Sequence, residues 1–292
     1  MTPDPKPPFA YSALLGRPRL ELPDGARVAV WIAVNVEYYP IDRPQISIVP
    51  VTTGFVPDPA NYGWRDYGAR VGIWRLMDLF DELGIPVTAP LNSDVCHHYP
   101  EILEEGTRRG WAWMAHGRDN SIFEANMERD EEREYLSDVI DTIEQASGRR
   151  PRGWLGPGLT ETFNTPELLA ELGLRYVCDW CNDDQPYPLE TSAGPLVSVP
   201  YAVEVNDIPL LVTNGMTGPQ YQQALTDQFD GLYEAGRETG QVMCIALHPF
   251  LVGHPFRLKY LRAALQHVAG HDDVWLTTGD EIADWYIDQL PS

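Results

Sequence analysis

Residues 27–37 read RVAVWIAVNVE, an apolar run that stops on a carboxylate. The stretch reads as a strand, and its apolar part, residues 28–36, is far too short to span a bilayer. Outward from it, strand-like runs recur at 86–91, 111–115, 153–155, 174–179, 208–213, 242–247 and 274–277. Amphipathic stretches lie between them. Residues 68–83, GARVGIWRLMDLFDEL, place Val71, Trp74, Leu79 and Leu83 near one face, as a helix requires. The acidic segment 128–146 carries Tyr135, Val139, Ile140 and Ile143 at helical spacing. Asn164, Thr165, Pro166 and Glu167 read as a helix start, a cap followed by proline. Further helices are expected over 219–235, 256–268 and 280–290.

Strand–helix alternation of this kind implies a parallel sheet with helices outside it. Eight short strands and about as many helices suit a closed α/β barrel better than an open doubly wound sheet. No glycine-rich phosphate loop follows any strand, which removes the usual dinucleotide-binding reading. Two domain elements are expected: a proline-rich arm over 1–24 and one catalytic barrel over 25–292. A long proline-rich connection over 38–67 follows the first strand, where it would form an active-site wall or an oligomer contact.

The formal net charge is −22, and apart from Lys6 and Lys259 every base is arginine. Such a surface opposes contact with nucleic acid or anionic membranes and weighs weakly against a polyanionic substrate. The N-terminus shows neither a basic region nor an apolar stretch, so a cytoplasmic protein is expected. Cys178 and Cys181 make a C-x-x-C inside a strand-like run, with no second pair to complete a zinc site, so a structural or incidental role is expected.

In a barrel, chemistry sits where strands end, because successive loops converge there. Five apolar runs end in capable side chains. The first delivers Asn35 and Glu37; the second, Asn92 and Asp94; the third, His116, Asp119 and Asn120. The fifth carries Asp179, and the seventh, CIALHPF, ends at His248. The rival reading makes Glu37 a solvent-facing strand end and each histidine a satisfied core residue, but charged groups are rarely buried without purpose. His97, His98, His254, His267 and His271 read as surface residues, and Asp183 and Asp184 as solvated loop acids.

At these residues the sequence resembles the polysaccharide deacetylase superfamily, most closely its allantoinase and cyclic-imide hydrolase branch. The resemblance runs from about residue 24 to 285 and is carried by ARVAVWIAVNVE, YGARVGIWRLMDLF, His116-Gly117, RRPRGW, NTPELL, CDWCNDDQPY, VPYAVEVND, ALH and VWLTTGDEIADW. It implies a distorted (β/α) barrel of about seven to eight parallel strands. Deacetylases of the superfamily place an Asp pair after the first strand, the first a general base. The second Asp, with an H-x-x-x-H pair after the third strand, holds a divalent metal. Here those positions read Glu37-Tyr38 and His116…Asn120, so the base survives as a carboxylate while two of three metal ligands are replaced. Phenol and carboxamide are poor substitutes for carboxylate and imidazole on zinc. The arginine of the third motif is also absent, where the chain reads WLGPG, whereas Asp179 and His248 match the fourth and fifth motifs.

The expectation is therefore a hydrolase of non-peptide C–N amide bonds, opening a small cyclic amide, imide or ureide without a required cofactor. Glu37 would act as general base, His116 would orient water or stabilise the oxyanion, and His248, held by Asp179, would protonate the leaving nitrogen. Asn120, Asn92, Tyr38 and Trp180 are the expected substrate contacts, with Trp64 a further wall. If a zinc ion binds, Glu37, His116 and Asn120 are its ligands. Rivals are a metal-dependent amino-sugar N-deacetylase, a non-catalytic barrel, and a lyase or isomerase using the same residues. The expected partner is a small-molecule substrate, with no nucleic acid and no membrane; the resemblance and the long loop imply a homo-oligomer.

Overall fold

A computed structural model describes residues 6–43 and 50–290. Strand β1 (Val28–Val34) is buried along its whole length and organises the sheet. On one edge it pairs over seven residues with β8 (Gln241–Leu247). The opposite edge is divided: β9 (Val274–Thr277) pairs with residues 28–31, and β2 (Val87–Leu91) with Ile32 and Ala33. The sheet then runs through β3 (Ala112–Ala115), β4 (Gly153–Trp154), β5 (Tyr176–Val177) and β7 (Val197–Ser198) to β6 (Tyr187–Pro188). All neighbours are parallel except the antiparallel β6–β7 pair. Residues 184 and 185 meet the far side of β8: Val242 N–H donates to the Asp184 carbonyl at 2.8 Å, and Gln185 Nε2 donates to the Gly240 carbonyl at 2.8 Å. The curled sheet is thus a distorted (β/α) barrel with eight parallel strands among the described residues.

Alternation along the strands sorts the core into two compartments. Ala29, Trp31 and Ala33 of β1 and Val242, Cys244 and Ala246 of β8 face the barrel interior with Leu155, Tyr176 and Tyr201. Val28, Val30, Ile32 and Val34 face outward against the helices. Those are α1 (Pro59–Tyr67), α2 (Ile73–Leu83), α3 (Val95–His98), α4 (Pro100–Arg108), α5 (Arg129–Ser147), α6 (Thr165–Glu171), α7 (Gly218–Ala235), α8 (Pro249–Val252), α9 (Pro255–Ala269) and α10 (Gly279–Ile287). Among the described residues, no helix is long and apolar enough to cross a membrane.

Four expectations change. Residues 208–213 are not a strand but a π-helical turn, Ile208–Thr213, started by the Asn206 side chain accepting from Ile208 N–H at 2.9 Å. Strands β6 and β7 went unseen because two residues carry no readable period. The connection over 38–67 contains α1, capped by Asp58 and opened by Pro59; residues 44–49 lie outside the described part. The segment before β1 packs on the barrel: Phe9 meets Trp180 edge-on at 4.9 Å, Arg17 pairs with Asp183 at 2.6 Å, and Leu22 is buried. Asp183 is therefore an ion-pair partner and not a solvated acid.

Candidate active site

Strand register sets the site. Just past β1, Val36 bridges Leu91, leaving Glu37 at the carboxyl end of the central strand. His116 N–H, one residue past β3, donates to the Leu91 carbonyl at 3.1 Å. His248 lies one residue past β8, where Pro249 opens α8. Three distant stretches thereby deliver their side chains to one place. His116 Nε2 is 3.5 Å and His248 Nε2 3.8 Å from the same oxygen, Glu37 Oε1, with all three side chains nearly closed to solvent.

Each group is held by others. Asn120 Nδ2 donates to Glu37 Oε1, and the Tyr39 hydroxyl donates to Oε2 at 2.5 Å. Burial pushes the Glu37 pKa up; the charge of His248, the hydrogen bond and charge of His116 and the Tyr39 hydroxyl outweigh it and hold it at about 2. Burial, reinforced by the Glu37 charge, holds the Tyr39 phenol far above its usual pKa, so it stays a donor. His116 Nδ1 is 2.6 Å from the Leu155 carbonyl, which can only accept, so Nδ1 carries the proton and Nε2 faces Glu37. His248 Nδ1 is 2.6 Å from Asp207 Oδ1, and its backbone N–H donates to Asp207 Oδ2 at 2.7 Å. Burial works against the charged imidazole, but Asp207 and Glu37 override it and raise the His248 pKa.

Asp207, not Asp179, is therefore the acid behind His248. Asp179 accepts from Gly156 N–H at 2.7 Å and lies beside Glu161, burial and that neighbour driving its pKa up. Three other predicted contacts fall outside the cavity next to Glu37. Asn92, fully buried, accepts from Tyr38 N–H at 2.9 Å and donates to the His116 carbonyl, bracing the loop. Tyr38 stacks on His98 with ring centroids 4.0 Å apart, and Trp180 donates to Glu161 at 3.2 Å. The cavity, about 550 Å³, is lined by Glu37, His116, Asn120 and His248 together with Trp64 and by Tyr39, Arg65 and Tyr201, which sequence reasoning did not single out. Asp207 closes VPYAVEVND, a segment already tied to the resemblance. It went unrecognised because a strand over 208–213 would have put it at the wrong end of the barrel.

The residues present do not fit the divalent metal implied by the resemblance. The side chain replacing the second Asp is turned onto His98, and the amide replacing the second histidine donates to Glu37. Among the described residues, three ligand atoms come within 4.8 Å of one another only at Asp230, His267 and His271, on and just after α7 and α9, none of which lines the cavity.

A family model described as polysaccharide deacetylase matches residues 64–177. A Schizosaccharomyces pombe protein named for polysaccharide deacetylation is 30% identical, the alignment covering 89% of this chain and 90% of that protein. Among solved structures, a Pseudomonas aeruginosa PAO1 protein, also titled for polysaccharide deacetylase, is 28% identical with a TM-score of 0.85, covering 94% of this chain and 96% of that one. The Puue allantoinase is 27% identical with a TM-score of 0.86, covering 97% of this chain and 100% of the other.

Proposed function

Since the chain belongs to the polysaccharide deacetylase family, on its allantoinase-like branch, and is a hydrolase of non-peptide carbon–nitrogen bonds, we propose that it opens a small cyclic amide, imide or ureide. The observation that carries this reading is the environment of Glu37. Its two oxygens are taken by hydrogen-bond donors and flanked by two imidazoles, where the resemblance implies a metal-binding set. A protein-only site lacks a strong Lewis acid, so it needs a leaving nitrogen that is already stabilised. In a cyclic imide or ureide a second carbonyl supplies that stabilisation.

In the proposed reaction water attacks a ring carbonyl while Glu37 takes its proton. His116, its Nδ1 proton committed to Leu155, turns Nε2 toward Glu37 and orients the water beside it. His248, protonated against Asp207, gives its Nε2 proton to the ring nitrogen as the C–N bond breaks. The products are a carboxylic acid and a freed nitrogen. The proton left on Glu37 then returns to His248 across the 3.8 Å between them. Asn120 Oδ1, buried and without a hydrogen-bond partner among the described residues, would accept from a ring N–H. A cavity of about 550 Å³ suits a small molecule.

The second reading, metal-dependent N-deacetylation of a sugar, draws support from the names of the relatives. A hydrolysis panel separates the two. Hydantoin, succinimide, allantoin and acetylated chitooligosaccharides are offered to the enzyme with and without prior chelation. Ring opening that survives chelation is expected. Acetate release from the sugar, lost with the metal, would replace the proposal.

A further inference from the structure

We infer that the ring opened here carries an apolar substituent, selected by Phe123, Leu159, Val203 and Val212; this rests on the cyclic-amide reading above. The groups that would do chemistry come from the ends of β1, β3 and β8: Glu37, Tyr39, His116, Asn120 and His248. The remaining wall has another character. Loops after β3, β4 and β7 contribute Phe123, Leu159, Val203, Ile208, Pro209 and Val212.

Phe123 and Val203 are each 40% exposed and Val212 37%, so this wall meets water in the free protein. Apolar side chains grouped around one cavity with a few convergent polar groups are the mark of a site for a mixed ligand. Leu159 strengthens the case. It holds a left-handed backbone, φ 58°, directly after Gly158 at φ 64°. Glycine or asparagine would adopt that conformation with less strain, and strained residues persist where a site depends on them. A Cβ at Gly158 would lie 3.2 Å from the Phe123 ring, so this turn and that ring form one surface.

A polar arm would meet two side chains on this wall. Asn206 and Thr213 bring hydrogen-bonding side chains to this wall, but Asn206 already donates to the Tyr201 hydroxyl at 3.4 Å and accepts from Ile208 N–H. The π-helical turn Ile208–Thr213 supplies three of the apolar contacts at once, and it immediately follows Asp207, the acid that holds His248. The segment orienting the proton donor thus also shapes the substituent's seat.

The test compares kcat/KM for hydantoin, benzylhydantoin and allantoin, the last carrying a polar ureido arm on the same ring. Benzylhydantoin should exceed both others by about tenfold or more, the usual size of such apolar discrimination. Phe123→Ser and Val212→Ser should each pull the benzyl-to-unsubstituted ratio toward one. Hydantoin or allantoin opened as well as benzylhydantoin would overturn this inference and leave the cyclic-amide reading standing. Failure to open any of the three, or succinimide, would remove both.

Discussion

His248 and Asp207 show how one residue governs another's chemistry. Both Asp207 oxygens are committed to His248, one to Nδ1 and one to the backbone N–H, fixing the tautomer and the ring plane together. A proton donor must be charged, so activity is lost as pH rises through the His248 pKa, which Asp207 and Glu37 raise against burial. Asp207→Asn removes that charge. The alkaline limb of the kcat/KM profile should move to lower pH, with turnover reduced by about 10²-fold or more, as expected for a lost general acid. An unmoved alkaline limb would separate Asp207 from the proton transfer. Glu37, held at about 2, is ionised throughout the neutral range but is a weak base at rest.

At the scale of elements, the site depends on how closely α8 approaches the π-helical turn Gly68–Gly72 that precedes α2. A Cβ on Gly72 would sit 2.1 Å from the Pro249 carbonyl oxygen, backbone that cannot swing aside, and one on Gly253 would lie 2.4 Å from the Gly72 Cα. Pro249 follows His248 directly. Gly72→Ala should therefore cost about 1–3 kcal/mol of stability in denaturant unfolding and lower turnover by displacing the imidazole. Full activity with wild-type stability would mean that the approach has no bearing on the site. The elements also show where sequence is legible. β1 and β8 are legible as unbroken apolar runs and α5 as a long helical period. The segment 208–213, rich in apolar and β-branched residues, has strand composition, yet the Asn206 side chain and Pro209 turn it into a helix start. Local hydrogen bonding of that kind overrides propensity and leaves no periodic trace.

Across the whole molecule, buried acids set the response to pH. Burial drives Glu124 to about 8 and Glu161 to about 7, so the fold holds protons there that the unfolded chain, near the ordinary value of 4.5, releases. The native state binds more protons between those values, and stability must fall as pH rises from about 5 to 8. Glu37, depressed to about 2, has the opposite sign: its contribution is present above 4.5 and lost only in acid. The thermal midpoint should therefore be higher at pH 5 than at pH 8, with the slope reduced in Glu124→Gln; a midpoint that climbs over that range would contradict this. The same scale explains what the sequence revealed of the site. Glu37, His116 and His248 were legible because each ends a strand in a sheet whose strands converge, whereas Asp207, Tyr39 and Tyr201 reach the cavity from connections whose paths no period encodes, and Arg65 from α1 within the long connection after β1. That three groups from three strands act together as a proton-transfer set without a metal is tested most directly by turnover of Glu37→Gln beside the wild type, both chelated and assayed on a cyclic amide. Retained wild-type turnover under chelation, falling by about 10²–10⁴ in a variant that still folds, is expected; equal rates for the two proteins would contradict it.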